Sequence, residues 1–187
     1  KKMFVLQARE HFERMKRSCK IMRIGLRYSI DELVEMTVEL AKRNGYQEDI
    51  YIRPLAYKSS TVVGVRLHDL EDDFCMFVSP FGAYLDTATG IRVCTSSWRR
   101  IDDNTIPARA KITGAYVNSA FSKTEAMEGG FAEAIVLTLD GHVAEGSAEN
   151  IFILRDGVLL TPPSSDGILE GITRSTLMRM AKDELGL

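Results

Sequence analysis

Apolar residues recur at helical spacing over two early stretches and at strand-like spacing over much of the remaining chain. Between positions 9 and 23, Phe12, Met15, Cys19 and Met22 step by three and four, which predicts an amphipathic helix. Ser29-Ile30-Asp31-Glu32 has the spacing of a capping box. Ile30, Leu33, Val34, Val38 and Ala41 then share one face until Asn44-Gly45 supplies a C-cap, which predicts a second helix. Four runs rich in β-formers come next, at 50–57, 61–67, 74–78 and 91–97, separated by turn-forming residues. These elements predict a small α+β domain over residues 1–101.

Asp102-Asp103-Asn104-Thr105-Ile106-Pro107 is polar and ends in proline, so a linker is placed over 102–110 and a second domain over 111–187. A helix is expected over 112–128, stopped by Gly129-Gly130. Two hairpins come after it, each closed by an Asp-Gly dipeptide, Asp140-Gly141 and Asp156-Gly157, the pairing that type I′ turns favour. Gly171-Ile172-Thr173-Arg174 then opens a last helix, with Leu177, Met180 and Ala181 on its apolar face. One helix, two hairpins and a further helix are too few layers to close a core, so the fold is expected to continue past Leu187. Because the chain does not begin with methionine, sequence upstream of Lys1 is expected as well.

Composition narrows the classes of function. Apolar residues make up 45% of the chain, enough for a packed core, and no apolar run approaches the roughly 18–20 residues that span a bilayer. With 24 basic and 26 acidic residues the formal charge is −2, which argues against a nucleic-acid partner. Cys19, Cys75 and Cys94 are odd in number and widely spaced, so neither a disulfide framework nor a zinc cluster is expected, and a reducing cytoplasm fits. His11, His68 and His142 have no metal-ligand spacing, and no glycine-rich nucleotide loop is present.

Four local features carry candidate chemistry. Lys111 comes after the proline-ended linker with Ala108 and Ala110 beside it and no acidic residue within five positions. That setting suits a nucleophilic amine, and equally a solvated side chain. Glu145 sits among small residues in Ala144-Glu145-Gly146-Ser147-Ala148-Glu149-Asn150, as a functional carboxylate or an exposed strand end. Gly171-Ile172-Thr173 offers helix-start N–H groups and a hydroxyl, either a phosphate site or an ordinary Thr N-cap. Arg14, in the first helix, would supply a counter-cation if the two domains face each other.

Seven stretches resemble the class IV (fold type IV) pyridoxal-phosphate (PLP) enzymes, and most closely the branched-chain amino acid aminotransferases. They are Glu10-His11-Phe12-Glu13-Arg14-Met15, Tyr51-Ile52-Arg53-Pro54-Leu55, Phe81-Gly82-Ala83-Tyr84-Leu85, Ser96-Ser97-Trp98-Arg99-Arg100, Ile106-Pro107-Ala108-Arg109-Ala110-Lys111, Glu145-Gly146-Ser147-Ala148-Glu149-Asn150 and Leu169-Glu170-Gly171-Ile172-Thr173-Arg174. The resemblance implies an α+β, two-domain fold whose large domain is only partly covered. It implies amino transfer between branched-chain L-amino acids and 2-oxoglutarate, and a homodimer or higher homo-oligomer. It also implies residue roles: Lys111 as the Schiff-base lysine, Glu145 on the pyridine nitrogen and Tyr116 on the phenolic oxygen. Arg14, Ile172 and Thr173 would hold the phosphate, Leu169 the ring, and Arg53 and Tyr84 the substrate.

Rivals within that fold are D-amino acid or (R)-amine aminotransferases and aminodeoxychorismate lyase, against which Arg53 favours the branched-chain reading. Outside it stands a non-catalytic assembly domain, against which the joint presence of Lys111, Tyr116 and Glu145 speaks. Two departures are mild: Gly114-Ala115-Tyr116 stands where the family usually has Gly-Asn-Tyr, and Phe81 where it often has tryptophan.

Overall fold

A computed structural model of the chain describes every residue except 1, 2, 83, 84, 86 and 87. It divides into two compact units, Lys1–Tyr84 and Leu85–Leu187. In the first, α1 (Ala8–Ile21) packs against α2 (Ile30–Asn44), and α2 lies on the hairpin of β1 (Ile50–Lys58) and β2 (Asp72–Pro80). The caps are those the sequence predicts. Ser29 and Glu32 exchange both capping-box hydrogen bonds, and Gly45 ends α2 at φ 66° with its N–H donating to the Ala41 carbonyl. Phe12, Cys19, Leu33 and Thr37 form the buried face. The Thr37 hydroxyl donates to the Leu33 carbonyl at 2.8 Å, which removes the cost of burying it.

One expected strand is absent. Residues 61–67 form part of the connection between β1 and β2, and Val62, Val63 and Val65 are exposed there. β1 pairs antiparallel with β2 along its full length, from Ile50↔Pro80 to Lys58↔Asp72, and the run between them serves as the connection of this two-stranded hairpin. The loop is closed instead by the Ser59 N–H donating to the Glu71 carbonyl and the Glu71 N–H donating to the Ser60 hydroxyl.

The division between units falls before residue 101, where the sequence placed it. The reason is β3 (Val93–Arg99), which runs parallel to β4 (Glu133–Leu137) with Val93 opposite Glu133 and Cys94 opposite Ala134. β4 also pairs antiparallel with β5 (Val143–Gly146), giving a mixed sheet in the order β3-β4-β5. Helix α3 (Tyr116–Glu128) connects β3 to β4 and packs on both strands through Ala126, Ala134 and Val136, with Cys94 and Phe131 against them. Alanines at this seam let helix and sheet approach closely. Where the β3–β4 register breaks, between Thr95 and Arg99, the Ser97 N–H donates to the Glu125 carboxylate of α3.

The second hairpin, β6 (Ile153–Arg155) with β7 (Val158–Leu160), turns through Asp156 and Gly157, both left-handed at φ 53° and 76°, as a type I′ turn requires. Asp140-Gly141 behaves differently. Between β4 and β5 only Gly141 is left-handed, and the Thr138 N–H donates to the His142 carbonyl across a longer loop. The Thr138 hydroxyl closes it by donating to Asp140 and accepting from the His142 N–H. The last helix, α4 (Ile172–Leu185), buries Ala181 but leaves Leu177 and Met180 exposed.

The first unit's core depends on Leu33, which is fully buried. Leu33→Ala should therefore lower unfolding stability by about 2–5 kcal/mol, and Ser29→Ala by about 1 kcal/mol, in urea titrations. Equal costs for the two would contradict the packing described.

Candidate active site

Residues 106–110 coil tightly, with the Ala110 N–H donating to the Pro107 carbonyl at 3.0 Å, and Ala108 and Ala110 are buried. This anchors the backbone just ahead of Lys111, whose side chain is exposed. A single 3₁₀ turn, Thr113–Ala115, then leads into α3 at Tyr116. That geometry folds the five-residue spacing back on itself, so the Lys111 amine donates to the Tyr116 hydroxyl at 2.5 Å.

Glu145 lies near the end of β5, opposite Val136 in the sheet, and is 5% exposed. It is not the solvated strand-end carboxylate that the sequence also allowed. Its Oε1 pairs with Nη2 of Arg100 at 3.0 Å, and its Oε2 accepts the Leu169 N–H at 3.0 Å. The Arg100 Nε donates in turn to the Gly167 carbonyl at 2.9 Å. Burial pushes the Glu145 carboxyl above the usual range, against the downward pull of the Arg100 charge, the Leu169 N–H and the Lys111 charge. Lys111, with no acidic neighbour in sequence, thus stands within the electrostatic reach of Glu145 in space.

Leu169, Ile172 and Thr173 are held around the start of α4. Gly171 is the N-cap, and no side chain caps the helix, so Thr173 is not the N-cap that its sequence position also suited. Thr173 is exposed, whereas Leu169 and Ile172 are half-buried. Arg174 ties this helix start down by donating to the Thr161 hydroxyl and to the Pro162 carbonyl at 3.0 Å. The second unit therefore holds Lys111, Tyr116, Glu145, Leu169, Ile172 and Thr173. Arg14 and Arg53 belong to the first unit. Arg14 is buried on α1, and Arg53 is exposed on β1 with its guanidinium 5.0 Å from the Tyr51 ring centroid. Tyr84 lies outside the described residues.

The family profile of amino-transferase class IV matches residues 2–187. The chain belongs to the amino-transferase class IV family. It is 47% identical over 183 residues to a probable branched-chain-amino-acid aminotransferase of Aquifex aeolicus, covering 98% of this chain and 59% of that protein. Among solved structures, it resembles a branched-chain aminotransferase from Thermoproteus uzoniensis crystallised with norvaline. That match has a TM-score of 0.92 at 46% identity and covers 96% of this chain and 60% of the other. A branched-chain amino acid aminotransferase from Thermobaculum terrenum, in its PLP form, matches with a TM-score of 0.91 at 33% identity over 97% of this chain and 59% of that one. The chain thus spans about three-fifths of the length of these relatives.

Within this class IV chain the structure adds residues that the sequence did not single out. Arg100 closes a matching stretch, yet nothing local separates it from Arg99, which donates to the Ser96 carbonyl. Its burial alone marks it out. Asn150, at the end of the Glu-Gly-x-x-Glu-Asn stretch, donates to the Leu169 carbonyl at 2.9 Å.

The raised proton affinity of Glu145 has a definite sign for stability. A carboxyl that binds its proton more tightly when folded contributes stability that is full below its unfolded-state value and is lost as pH rises through the raised folded value. Arg100 offsets that loss at neutral pH. Arg100→Met should therefore cost about 3–5 kcal/mol at neutral pH and distinctly less in mild acid, where Glu145 takes up a proton; urea titrations at the two pH values measure this. Adding Glu145→Gln to Arg100→Met should abolish the difference.

Proposed function

We propose that the protein transfers amino groups reversibly between branched-chain L-amino acids (leucine, isoleucine and valine) and 2-oxoglutarate, with pyridoxal phosphate as cofactor. The observation that carries this reading is an exposed amine hydrogen-bonded to a phenol, Lys111 to Tyr116, in the same unit as a buried carboxyl aligned by a guanidinium, Glu145 with Arg100. The names of the similar aminotransferases support the substrate class, and the PLP form of the Thermobaculum enzyme supports the cofactor.

The donor set fits that cofactor in kind. Lys111 is the amine for the aldehyde carbon, the Tyr116 hydroxyl serves the phenolic oxygen, and Glu145 serves the ring nitrogen. The first-turn N–H groups at Ile172 and Thr173, left without a side-chain cap, suit the phosphate, and Leu169 would supply an apolar contact for the ring. On the resemblance alone we also assign a phosphate role to Arg14 and substrate roles to Arg53 and Tyr84. When bound, pyridoxal phosphate supplies an electron sink for negative charge at the substrate Cα.

The chain's own groups do the rest. Lys111 Nζ would serve as the proton carrier at the substrate Cα, as general base and then general acid. Tyr116 accepts a hydrogen bond from that nitrogen and fixes where it points. Glu145, made more basic by burial, holds a proton at the ring nitrogen, while Arg100 and the Leu169 N–H keep its two oxygens in place. We also propose a homodimer or higher homo-oligomer as the working form, in the cytoplasm. Among the described residues no helix is long and apolar enough to cross a membrane.

Borohydride reduction of the PLP-loaded protein, followed by peptide mapping, should place the label on Lys111; a label elsewhere, or none, overturns the reading. Lys111→Ala should lower turnover by about 10²- to 10⁴-fold, the range for loss of a general acid–base group. Glu145→Ala should retain the cofactor yet slow proton transfer by about 10²- to 10³-fold, as loss of a preorganised electrostatic group does. Unchanged turnover would remove Glu145 from its assigned place.

A further inference from the structure

The peptide groups flanking Leu169 are gripped from two sides. The Leu169 N–H donates to Glu145 at 3.0 Å, and the Leu169 carbonyl accepts from the Asn150 side-chain amide at 2.9 Å. Both grips come from one short stretch, the end of β5 and the turn after it. The oxygen of the same Asn150 amide lies against Gly171, where an added Cβ would clash with Oδ1 and stand 3.2 Å from Cγ. Gly171 has φ −66° and ψ 141°, an extended conformation open to any residue, so backbone geometry does not call for glycine there. The space is simply occupied by Asn150.

We propose that Asn150 is a positioning residue: through the Leu169 carbonyl and the face of Gly171 it sets the strap 169–171, and thereby aims the first turn of α4 at a phosphate group. The proposal rests on the reading of this site as a pyridoxal-phosphate site. The glycine that opens α4 and the asparagine that ends the turn after β5 are then two halves of one contact. The same region is knitted on its far side, where the Thr161 hydroxyl donates to the Ile151 carbonyl and accepts from Arg174. A strap anchored at both ends leaves the uncapped start of α4 with one orientation, so its N–H groups need no reordering when an anion arrives.

The test is a cycle of wild type, Asn150→Ala, Gly171→Ala and the double variant in the full chain. Each is titrated in its apo form with pyridoxal phosphate and, separately, with pyridoxal, which lacks the phosphate, and binding is monitored by fluorescence. Asn150→Ala should weaken pyridoxal phosphate about tenfold, the value of one lost hydrogen bond, and weaken pyridoxal, which keeps only the ring contact of Leu169, distinctly less. Gly171→Ala should weaken pyridoxal phosphate about tenfold or more by overpacking, and the double variant should return to the Asn150→Ala level because the obstruction is gone. Far-UV circular dichroism and the thermal midpoint check that each variant is folded. Multiplying single effects, or equal loss of pyridoxal and pyridoxal phosphate, would overturn the positioning role while leaving the cofactor reading intact. A wild type that binds neither compound would overturn the cofactor reading, and the proposal with it.

Discussion

A carboxylate taken out of water costs several kcal/mol unless donors replace the lost hydration, and in the second unit that carboxylate is Glu145. Its two donors come from different places in the chain. Arg100 stands just beyond the end of β3, with its backbone N–H on the Leu137 carbonyl, and Leu169 stands before α4. Arg100 also reaches the Gly167 carbonyl, so the guanidinium that steadies Glu145 also pins the loop that presents Leu169. Satisfying one buried charge therefore fixes the end of β3, the end of β5 and the approach to α4 relative to each other. The groups assigned to the ring nitrogen and to the phosphate share that frame.

The turn after β5 shows the same economy. The Gly146 N–H donates to the Glu149 carbonyl at 2.6 Å, and a Cβ on Gly146 would crowd the Glu149 carboxyl at 3.1 Å. Beneath the turn Glu133 is buried. Desolvation pushes its carboxyl up, but Lys123 and the N–H groups of Ser147 and Ala134 outweigh burial and hold it below the usual range. Glu149 goes the other way, raised by its own burial and by the nearby charge of Glu133. Two carboxyls with opposed proton affinities thus brace the turn that carries Glu145 on one side and Asn150 on the other.

What could be read from the sequence was what local forces decide. The capping box at Ser29, the stop at Gly45 and the turn at Asp156-Gly157 depend on neighbours a few residues away, and the structure has all three. Lys111 was legible as a candidate from its small, uncharged neighbours, whereas its hydrogen bond to Tyr116 depends on a 3₁₀ turn that the sequence pattern does not reveal. Non-local pairing was not legible. The parallel partner of β3 is set by a helix crossover, so β3 read as part of the first unit. The run at 61–67 has strand-forming residues but lies in the β1–β2 connection without a ladder of its own, and β-propensity stabilises only where a partner is taken up. Arg100 was hidden for the same reason: Arg99 and Arg100 are chemically alike, and only the position of Glu145 distinguishes them.

The contrast between Lys111 and Glu145 reflects their different tasks in the proposed reaction. An amine that bonds to a cofactor, releases it and then carries a proton has to move, and a tightly enclosed side chain cannot. Lys111 stands directly after buried Ala108 and Ala110, which fix its backbone, and the Tyr116 hydroxyl limits the direction of its amine. Glu145 has to stay still and exert its charge at one atom. At 4 Å a pair of unit charges interacts with about 1 kcal/mol in water and about 4 kcal/mol in surroundings of intermediate dielectric, so burial multiplies the effect of a fixed carboxylate. Such burial would by itself drive the carboxyl to its neutral form, and Arg100 opposes that tendency while leaving its proton affinity raised. Arg100 and the Leu169 N–H thus hold Glu145 still, as the charge site proposed for it requires, and burial sets how strongly that charge acts.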